Sequence, residues 1–263
     1  MTALTAPPAR RLRPGTEEAV FVGRSLRHSL RNAEAMLMAV LLPVFLMLLF
    51  VYVFGGALDP SGGYVDYVVP GIILLCAGFG ASSTAVDVAD DASSGLMDRF
   101  RTLPIRSWAV VTGHVVASLA RNLVATGVVI AVALAIGFRP TAGGAAWVLA
   151  VALVALYILT ITYLFAAIGL ATGSPEAANG YGFVLLFLPY VSTAFVGADT
   201  LPGWLRGVAE HQPITPVIET LRGLLMGTDP GAAPLVATAW LGGVLLLAVV
   251  WAATQFRRRA GRR

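Results

Sequence analysis

The sequence predicts an all-α membrane protein with six transmembrane helices. Of its 263 residues, 57% are hydrophobic and only 12% are charged, whereas soluble domains carry about 25% charged residues. The mean hydropathy of +0.80 indicates the same class. Six apolar runs are each long enough to cross a bilayer, which takes about 20 residues. The runs cover residues 35–57, 67–86, 110–138, 145–172, 177–197 and 234–255.

Arginine is distributed unevenly between the two sides of this predicted bundle. The N-terminal segment holds six arginines, the loop after the second span three and the C-terminal tail five, whereas the opposite loops hold only Arg139, Arg206 and Arg222. An even number of spans places both termini on one side, and cytoplasmic loops are the ones enriched in basic residues. We therefore expect a multi-pass protein with both termini in the cytoplasm.

The two ends of the chain are basic and polar. Residues 1–15 are rich in proline, alanine and arginine, which predicts a disordered cytoplasmic tail, and residues 257–263 form a basic cytoplasmic tail. Residues 16–34 combine an apolar side with an arginine stripe, a pattern typical of an amphipathic helix in the inner headgroup layer. An ordinary cytoplasmic helix with a solvated arginine face is the alternative.

The loop before the last span is rich in leucine and interrupted by proline. Pro213 and Pro216 divide residues 199–229 into two segments with apolar residues at near-helical spacing. We interpret them as two short extracellular half-helices that re-enter the outer leaflet or pack on the bundle. Such a lid would occlude a pathway, so Pro202, Trp204, Pro213 and Pro216 are candidates for an extracellular gate.

Residues 87–106 form a charged segment between the second and third spans, and such a segment cannot lie in hydrocarbon. Its acidic residues fall at helical spacing, so the second span is expected to continue beyond the membrane. Leu96, Met97, Phe100 and Leu103 then make one apolar face of a short helix that Pro104 ends. This face suits a groove on a soluble partner, or it rests on the membrane; the pattern alone does not separate the two.

The residue inventory argues against chemistry within this chain. It contains no lysine, so it has neither the lysine of a phosphate-binding P-loop nor a Schiff-base amine. Three dispersed histidines and one cysteine make no nucleophile–base pair or metal site. We expect no catalytic site, no metal and no cofactor. The basic charge lies beside apolar spans and indicates lipid headgroups rather than nucleic acid.

Polar residues within the spans are the remaining candidates for function. Arg121 is ionisable and lies in the third span, so it either pairs structurally or snorkels to the boundary, or it marks a cargo entrance with Asn122. Tyr181 and Tyr190 of the fifth span are candidates for a cargo path. The hydroxyl residues, including Thr84, Tyr157, Thr160 and Thr162, are expected mostly to bond between helices.

An ordered set of motifs resembles the ABC-2 type exporter permeases, especially the daunorubicin-resistance family. The set runs from about residue 15 to the C-terminus, with one mild departure at Gln212-Pro213-Ile214-Thr215, where an Asn-Pro-Val-Thr type sequence is more usual. The matching positions are Gly95, Leu96, Met97, Asp98, Arg99, Leu103-Pro104-Ile105, Arg121-Asn122, GFRP at 137–140, SPEAANGYGF from Ser174, FVGADTLPGWLR ending at Arg206, and QPITPVIETLRGLLMG from Gln212.

The resemblance implies a single ABC-2 transmembrane domain over residues 16–256, with the type V exporter fold, in a bacterial plasma membrane. It implies a homo- or heterodimer of permease chains, two copies of a separate ATP-binding subunit that holds ATP and Mg²⁺, and export of a hydrophobic drug, antibiotic or lipid. The loop 87–106 would be the coupling element. Its contact residues would be Gly95, Leu96, Met97, Asp98, Arg99, Phe100, Leu103 and Pro104. A proton-coupled secondary transporter is the alternative, which the absence of carboxylates inside the spans disfavours.

Overall fold

The computed structural model describes residues 33–94 and 108–260, which are helical almost throughout. A π-helical turn, Leu49–Phe54, joins the first two helices, and two 3₁₀ turns, Leu188–Val191 and Ala198–Thr200, follow the sixth. The helices are α1 (Ala33–Leu48), α2 (Gly55–Leu58), α3 (Tyr64–Ser93), α4 (Trp108–Ala135), α5 (Gly144–Ala171), α6 (Pro175–Leu185), α7 (Gly203–His211), α8 (Ile214–Met226) and α9 (Ala233–Ala260).

Five helical stretches in the described part of the chain are long and apolar enough to cross a membrane. This finding agrees with the predicted all-α membrane class and with five of the six predicted spans. The stretches are Ala39–Leu58, Tyr64–Ser93, Val111–Ala135, Gly144–Ala171 and Ala233–Arg257.

Contacts between loops define two ends of the bundle. At one end, the Arg139 amide donates to Asp66 (3.0 Å) and the Thr141 amide donates to the Leu225 carbonyl (3.0 Å); we call this the hairpin end, because α7 and α8 lie there. At the other, the end of α3 meets the start of α4, and we call it the stem end. Because α5 finishes at the stem end and α9 begins at the hairpin end, residues 172–232 make a sixth passage through the bundle.

The sixth passage contains a helix that covers only the first part of the predicted span 177–197. Helix α6 has 11 residues, about 16 Å at a rise of about 1.5 Å per residue, and it ends at Leu185. Pro189 explains the end: it has no N–H, and its ring would clash with the carbonyl four residues earlier. Two 3₁₀ turns, irregular turns and the short helices α7 and α8 complete the passage.

Helix α3 is the centre of the bundle and the most deeply buried of the five long helices. Small residues let its neighbours approach, as is common between membrane helices. A Cβ atom added to Gly169 of α5 would lie 2.3 Å from the Ala85 carbonyl oxygen of α3, and one added to Gly71 would lie 2.6 Å from the Ala194 Cβ. The central helix therefore fixes the positions of both α5 and the broken passage.

The predicted boundaries shift where helices extend beyond their apolar runs. Helix α3 covers 64–93 rather than 67–86, so residues 87–93 of the predicted coupling loop are helical, as the spacing of the acidic residues indicated. Helix α9 continues through residue 260 into the predicted tail. The tail 1–15, nearly all of the interfacial segment 16–34 and residues 95–107 lie outside the described residues.

Candidate functional site

Two helix ends that flank the predicted coupling segment are joined by one side-chain contact. Nε2 of His114, near the start of α4, lies 2.9 Å from Oδ2 of Asp91, near the end of α3. Both side chains are largely buried, with exposed fractions of 15% and 16%. The carboxylate accepts a hydrogen bond from the ring, so the two helices on either side of the segment are tied together at its base.

The residues predicted to contact an ATP-binding subunit fall within that segment. Gly95, Leu96, Met97, Asp98, Arg99, Phe100, Leu103 and Pro104 all lie outside the described residues, so their role stays a prediction. The described structure positions only the two helix ends that lead into and out of them.

Arg121 lies inside the bundle and contacts the central helix. Its Nη2 donates to the Gly80 carbonyl oxygen (3.1 Å) and to the Ser83 hydroxyl (2.7 Å) of α3. Arg121 does not line either cavity described below. These contacts pair α4 with α3, and a role of Arg121 at a cargo entrance stays a prediction.

Asn122 belongs to a buried polar network that joins α3, α4 and α5. Its amide nitrogen donates to the carbonyl (3.0 Å) and the hydroxyl (3.2 Å) of Ser118, and that hydroxyl contacts Thr84 (3.0 Å) and Thr162 (3.5 Å). Oδ1 of Asn122 has no hydrogen-bond partner in the described part of the chain. It packs instead against the bare Cα of Gly80, where an added Cβ would lie 1.6 Å away.

Arg222 of α8 fastens the broken passage to α3 at the hairpin end. Its guanidinium lies over the Tyr67 ring, 3.9 Å from the centroid, and Nη2 donates to the carbonyl oxygens of Tyr67 (3.1 Å) and Thr193 (3.0 Å). The Tyr67 hydroxyl also donates to the Thr193 carbonyl (2.9 Å), and the Tyr64 hydroxyl donates to that of Phe195 (2.8 Å). We call Tyr64, Tyr67, Thr193, Phe195 and Arg222 the hairpin latch.

The four predicted gate residues occupy different positions around α7 and α8. Pro202 is the N-cap of α7, and Trp204 is 76% exposed. Pro213 directly precedes α8, whereas Pro216 is buried in its first turn. The structure thus has two short helices here, with α7 largely exposed and α8 packed into the bundle. It does not bring the four residues into one cluster.

Charged side chains at the hairpin end have pKa values shifted by their contacts. Burial lowers the pKa of Arg222, and the nearby Tyr67 and Glu219 partly offset this shift. A hydrogen bond to Glu210 raises the pKa of the exposed Arg206, and hydrogen bonds from Ser61 lower the pKa of the exposed Asp59. Exposed pairs contribute little to stability, so the buried Arg222 contributes more to the structure of this end than Arg206 does.

Aromatic rings form a row from the broken passage to the π-helical turn. Tyr190 is partly exposed and stacks on Phe195 (5.2 Å between centroids), which stacks on Phe50 (4.3 Å). At the other end of the row, Tyr190 meets Phe187 (6.0 Å), which meets Phe183 edge-on (5.1 Å). Tyr190 therefore belongs to a surface of flat apolar rings.

Two apolar cavities lie along the broken passage and share Leu164 and Leu185. The inner cavity, of about 90 Å³, lies between α3, α5, α9 and the breaks at Pro189 and Pro213. The outer groove, of about 830 Å³, lies between α5, α6 and α9 and is lined by the exposed Tyr181. Tyr181 and Tyr190, both predicted for one cargo path, therefore face different features.

The sequence prediction missed several of these residues. Arg222 was counted only as a loop arginine, and the partners of His114 and Tyr67 are far away in the chain. The signal that was available is chemical: an arginine between the leucines of an amphipathic segment needs carbonyl or aromatic partners once that segment is buried. Among the described residues, no three of His, Cys, Asp and Glu are grouped to hold a metal ion.

The described residues combine five long apolar helices with a broken sixth passage and a proline-interrupted hairpin. The chain matches the ABC-2 type transporter family over residues 17–226. This match covers most of the chain, which therefore belongs to the ABC-2 type transporter family. It is a multi-pass membrane protein of the transporter permease class rather than a catalytic enzyme.

Two relatives place the chain near drug-resistance permeases within that family. It is 30% identical over 191 residues, covering 72% of this chain and 68% of the relative, to the daunorubicin resistance ABC transporter permease protein DrrB1 of Streptomyces coeruleorubidus. It is 26% identical over 259 residues, 93% of both chains, to the probable doxorubicin resistance ABC transporter permease protein DrrC of Mycobacterium tuberculosis. The predicted resemblance to such permeases is confirmed.

Proposed function

We propose that this chain is the permease subunit of an exporter that moves a hydrophobic small molecule or lipid out across a bacterial plasma membrane. A separate subunit hydrolyses ATP with Mg²⁺, and this chain binds neither. The working assembly has two permease chains, identical or different, and two ATP-binding subunits. Both termini face the cytoplasm, on the arginine distribution described above.

The observation that carries this proposal is the contact at the stem end. Residues 95–107 follow α3 and precede α4 in the chain, and the side chains of Asp91 near the end of α3 and His114 near the start of α4 are 2.9 Å apart. A partner that presses on the segment therefore acts on α3 and α4 together. Helix α3 contacts α5 and the broken passage, so displacement of its stem end reaches the hairpin latch through one continuous helix.

The proposed cargo class rests on the apolar surfaces and on the relatives. Their names refer to daunorubicin and doxorubicin resistance, and the aromatic row and the groove of this chain suit flat apolar molecules. Where two chains face each other across the aromatic row, Tyr190 and its neighbouring rings would line a path between them. The hairpin, with Pro202, Trp204, Pro213 and Pro216, would close that path on the outer side.

A pull-down with a coupling variant tests the proposal. We expect this chain, purified from its native membrane in mild detergent, to carry a stoichiometric ATP-binding subunit with ATPase activity. Phe100→Asp should abolish that association because a charge replaces the apolar contact, whereas the control Phe100→Leu keeps an apolar side chain and should retain it. Thermal unfolding of the detergent-solubilised chain should be unchanged in both variants.

Transport measurements separate the two transporter classes. Export should stop when ATP is depleted and continue when the proton gradient alone is collapsed. Export that survives ATP depletion and ends with the proton gradient, from a folded chain without an ATP-binding subunit, would establish the proton-coupled alternative instead.

A further inference from the structure

The inner cavity exists because two chain breaks meet beside α5. Helix α6 stops before Pro189, and α8 starts after Pro213, so neither helix fills the space between them. The Gln212 side-chain amide donates to the Leu188 carbonyl (3.1 Å) and holds the two breaks together. The cavity is therefore bordered by irregular backbone and apolar side chains at the two breaks as well as by regular helices.

The outer groove continues this cavity along the bundle. The α5 residues that line the two spaces run from Tyr157 to Ala171, about 20 Å at about 1.5 Å per residue. The groove alone is within the range of about 300–1,000 Å³ seen for small-molecule sites, whereas the inner cavity of about 90 Å³ admits only one end of such a molecule. Trp240 lines the cavity and Trp251 lines the groove.

Tyr157 gives the cavity a specific polar group. The residue lines the cavity and is only 4% exposed. Within residues 33–94 and 108–260, no hydrogen bond uses its hydroxyl, whereas the other polar side chain in the lining, Thr160, donates to the Leu156 carbonyl (2.8 Å). The hydroxyl oxygen is not among the fully buried unpaired atoms of the described residues, so it borders the open space of the cavity, where a ligand that supplies a hydrogen-bond partner gains affinity.

We propose that the cavity and the groove form one binding site within a single permease chain for an amphipathic small molecule. The ligand has a flat apolar body, held in the groove between α5, α6 and α9, and one hydrogen-bonding group at its leading end, which meets the Tyr157 hydroxyl. This inference rests on the proposed function and deepens it by assigning a cargo site away from the surface between two permease chains.

A phospholipid tail is the competing occupant, and Tyr157 argues against it. The deep end of an acyl chain is a methyl group, which would leave the hydroxyl unpaired in an apolar space. A molecule with a carbonyl or hydroxyl group on a flat ring satisfies Tyr157 and packs against the tryptophan faces. The deep position of the polar group, rather than the apolar lining, is what selects the ligand class.

Photolabelling tests the site without relying on transport. The full chain in lipid nanodiscs is irradiated with benzophenone, and the labelled peptides are mapped by mass spectrometry. We expect labelling concentrated on residues 157–189 and α9. Leu164→Trp fills the point shared by both spaces and should reduce this labelling severalfold, whereas Val148→Trp, on an exposed face of the same helix, should not change it.

Competition between two matched molecules tests the polar contact. In the wild-type chain, 2-naphthol should compete with benzophenone better than naphthalene does, and Tyr157→Phe should reduce that preference about fivefold, the effect of one hydrogen bond. A preference that is identical in both chains would overturn the role of Tyr157. Labelling spread evenly over all lipid-facing helices, or displaced by oleate but by neither naphthalene nor 2-naphthol, would overturn the small-molecule site.

The outcome separates this inference from the proposed function. Site labelling in a chain that recruits no ATP-binding subunit would contradict only the exporter proposal. A chain that recruits the subunit and transports, but shows no localised labelling, would contradict only the site proposed here.

Discussion

The contact between Gly80 of α3 and Asn122 of α4 shows how the absence of one side chain determines how closely two helices pack. Asn122 is fully buried and needs space for its amide, and only a residue without a Cβ provides that space on α3. The neighbouring Arg121 then reaches the Gly80 carbonyl and the Ser83 hydroxyl. Arg121 and Asn122, which are adjacent in the sequence, therefore contact the same turn of α3, Asn122 with its amide and Arg121 with its guanidinium.

We expect Gly80→Ala to destabilise the chain by about 1–3 kcal/mol, the usual effect of overpacking, because the new methyl group meets the Asn122 side chain. The matched control is Gly127→Ala on α4, where nothing lies within 4 Å of an added Cβ; it should be neutral or stabilising, since alanine favours the helix. Thermal unfolding in detergent measures both. Equal unfolding temperatures for the two variants would contradict the close contact.

At the scale of elements, irregular segments carry the distinctive structure. Helix α6 stops after 11 residues, and the chain that follows is held to the bundle by side chains that donate to its carbonyl groups. The Thr193 carbonyl accepts from both Tyr67 and Arg222. Without regular hydrogen bonds of its own, this part of the passage depends on the hairpin latch for its position.

Replacing Arg222 by lysine should loosen that part of the passage. Lysine keeps the charge but loses the planar fork that bonds two carbonyl groups while stacking on Tyr67. We expect hydrogen exchange at the amides of residues 192–197 to become about tenfold faster, which corresponds to the loss of one to two hydrogen bonds. The control Arg206→Lys changes an exposed pair with Glu210 and should leave exchange there unchanged; equal effects of the two variants would refute the latch.

At the scale of the whole molecule, the broken passage decides the topology. Residues 172–232 cross the bundle, so α9 starts at the hairpin end and returns to the stem end. If they did not cross, α9 would run in the opposite direction and the C-terminus would lie on the other side of the membrane.

Cysteine labelling measures this arrangement. In a Cys76→Ala background, we expect an impermeant maleimide to label Ser61→Cys and Asp229→Cys from outside intact cells. Ser94→Cys and Thr254→Cys should react only after the cells are opened, because they lie at the stem end, which the arginine distribution predicts to face the cytoplasm. Labelling of positions 61 and 229 from different sides would contradict six passages, and labelling of all four on the reversed sides would contradict the predicted orientation.

The sequence predicted what depends on local composition. Hydropathy located the five long helices, and proline spacing located the two short helices between residues 198 and 233. Hydropathy did not locate the end of α6 at Leu185, because Pro189 indicates a break in the helix without fixing the residue at which the helix ends. Contacts such as Asp91 with His114, or Arg222 with Tyr67, were beyond prediction because they depend on how the helices pack, which a single sequence does not specify.

The contact between Asp91 and His114 also has a mechanical consequence. Because this contact joins the two helices next to the loop, α3 is not expected to move without α4. Under the proposed function, force that a partner applies to the loop would reach α3 and α4 together, because Asp91 and His114 join the two helices. The direction of that movement would then depend on how α3 and α4 pack against α5, so loops of different length and sequence would drive the same movement.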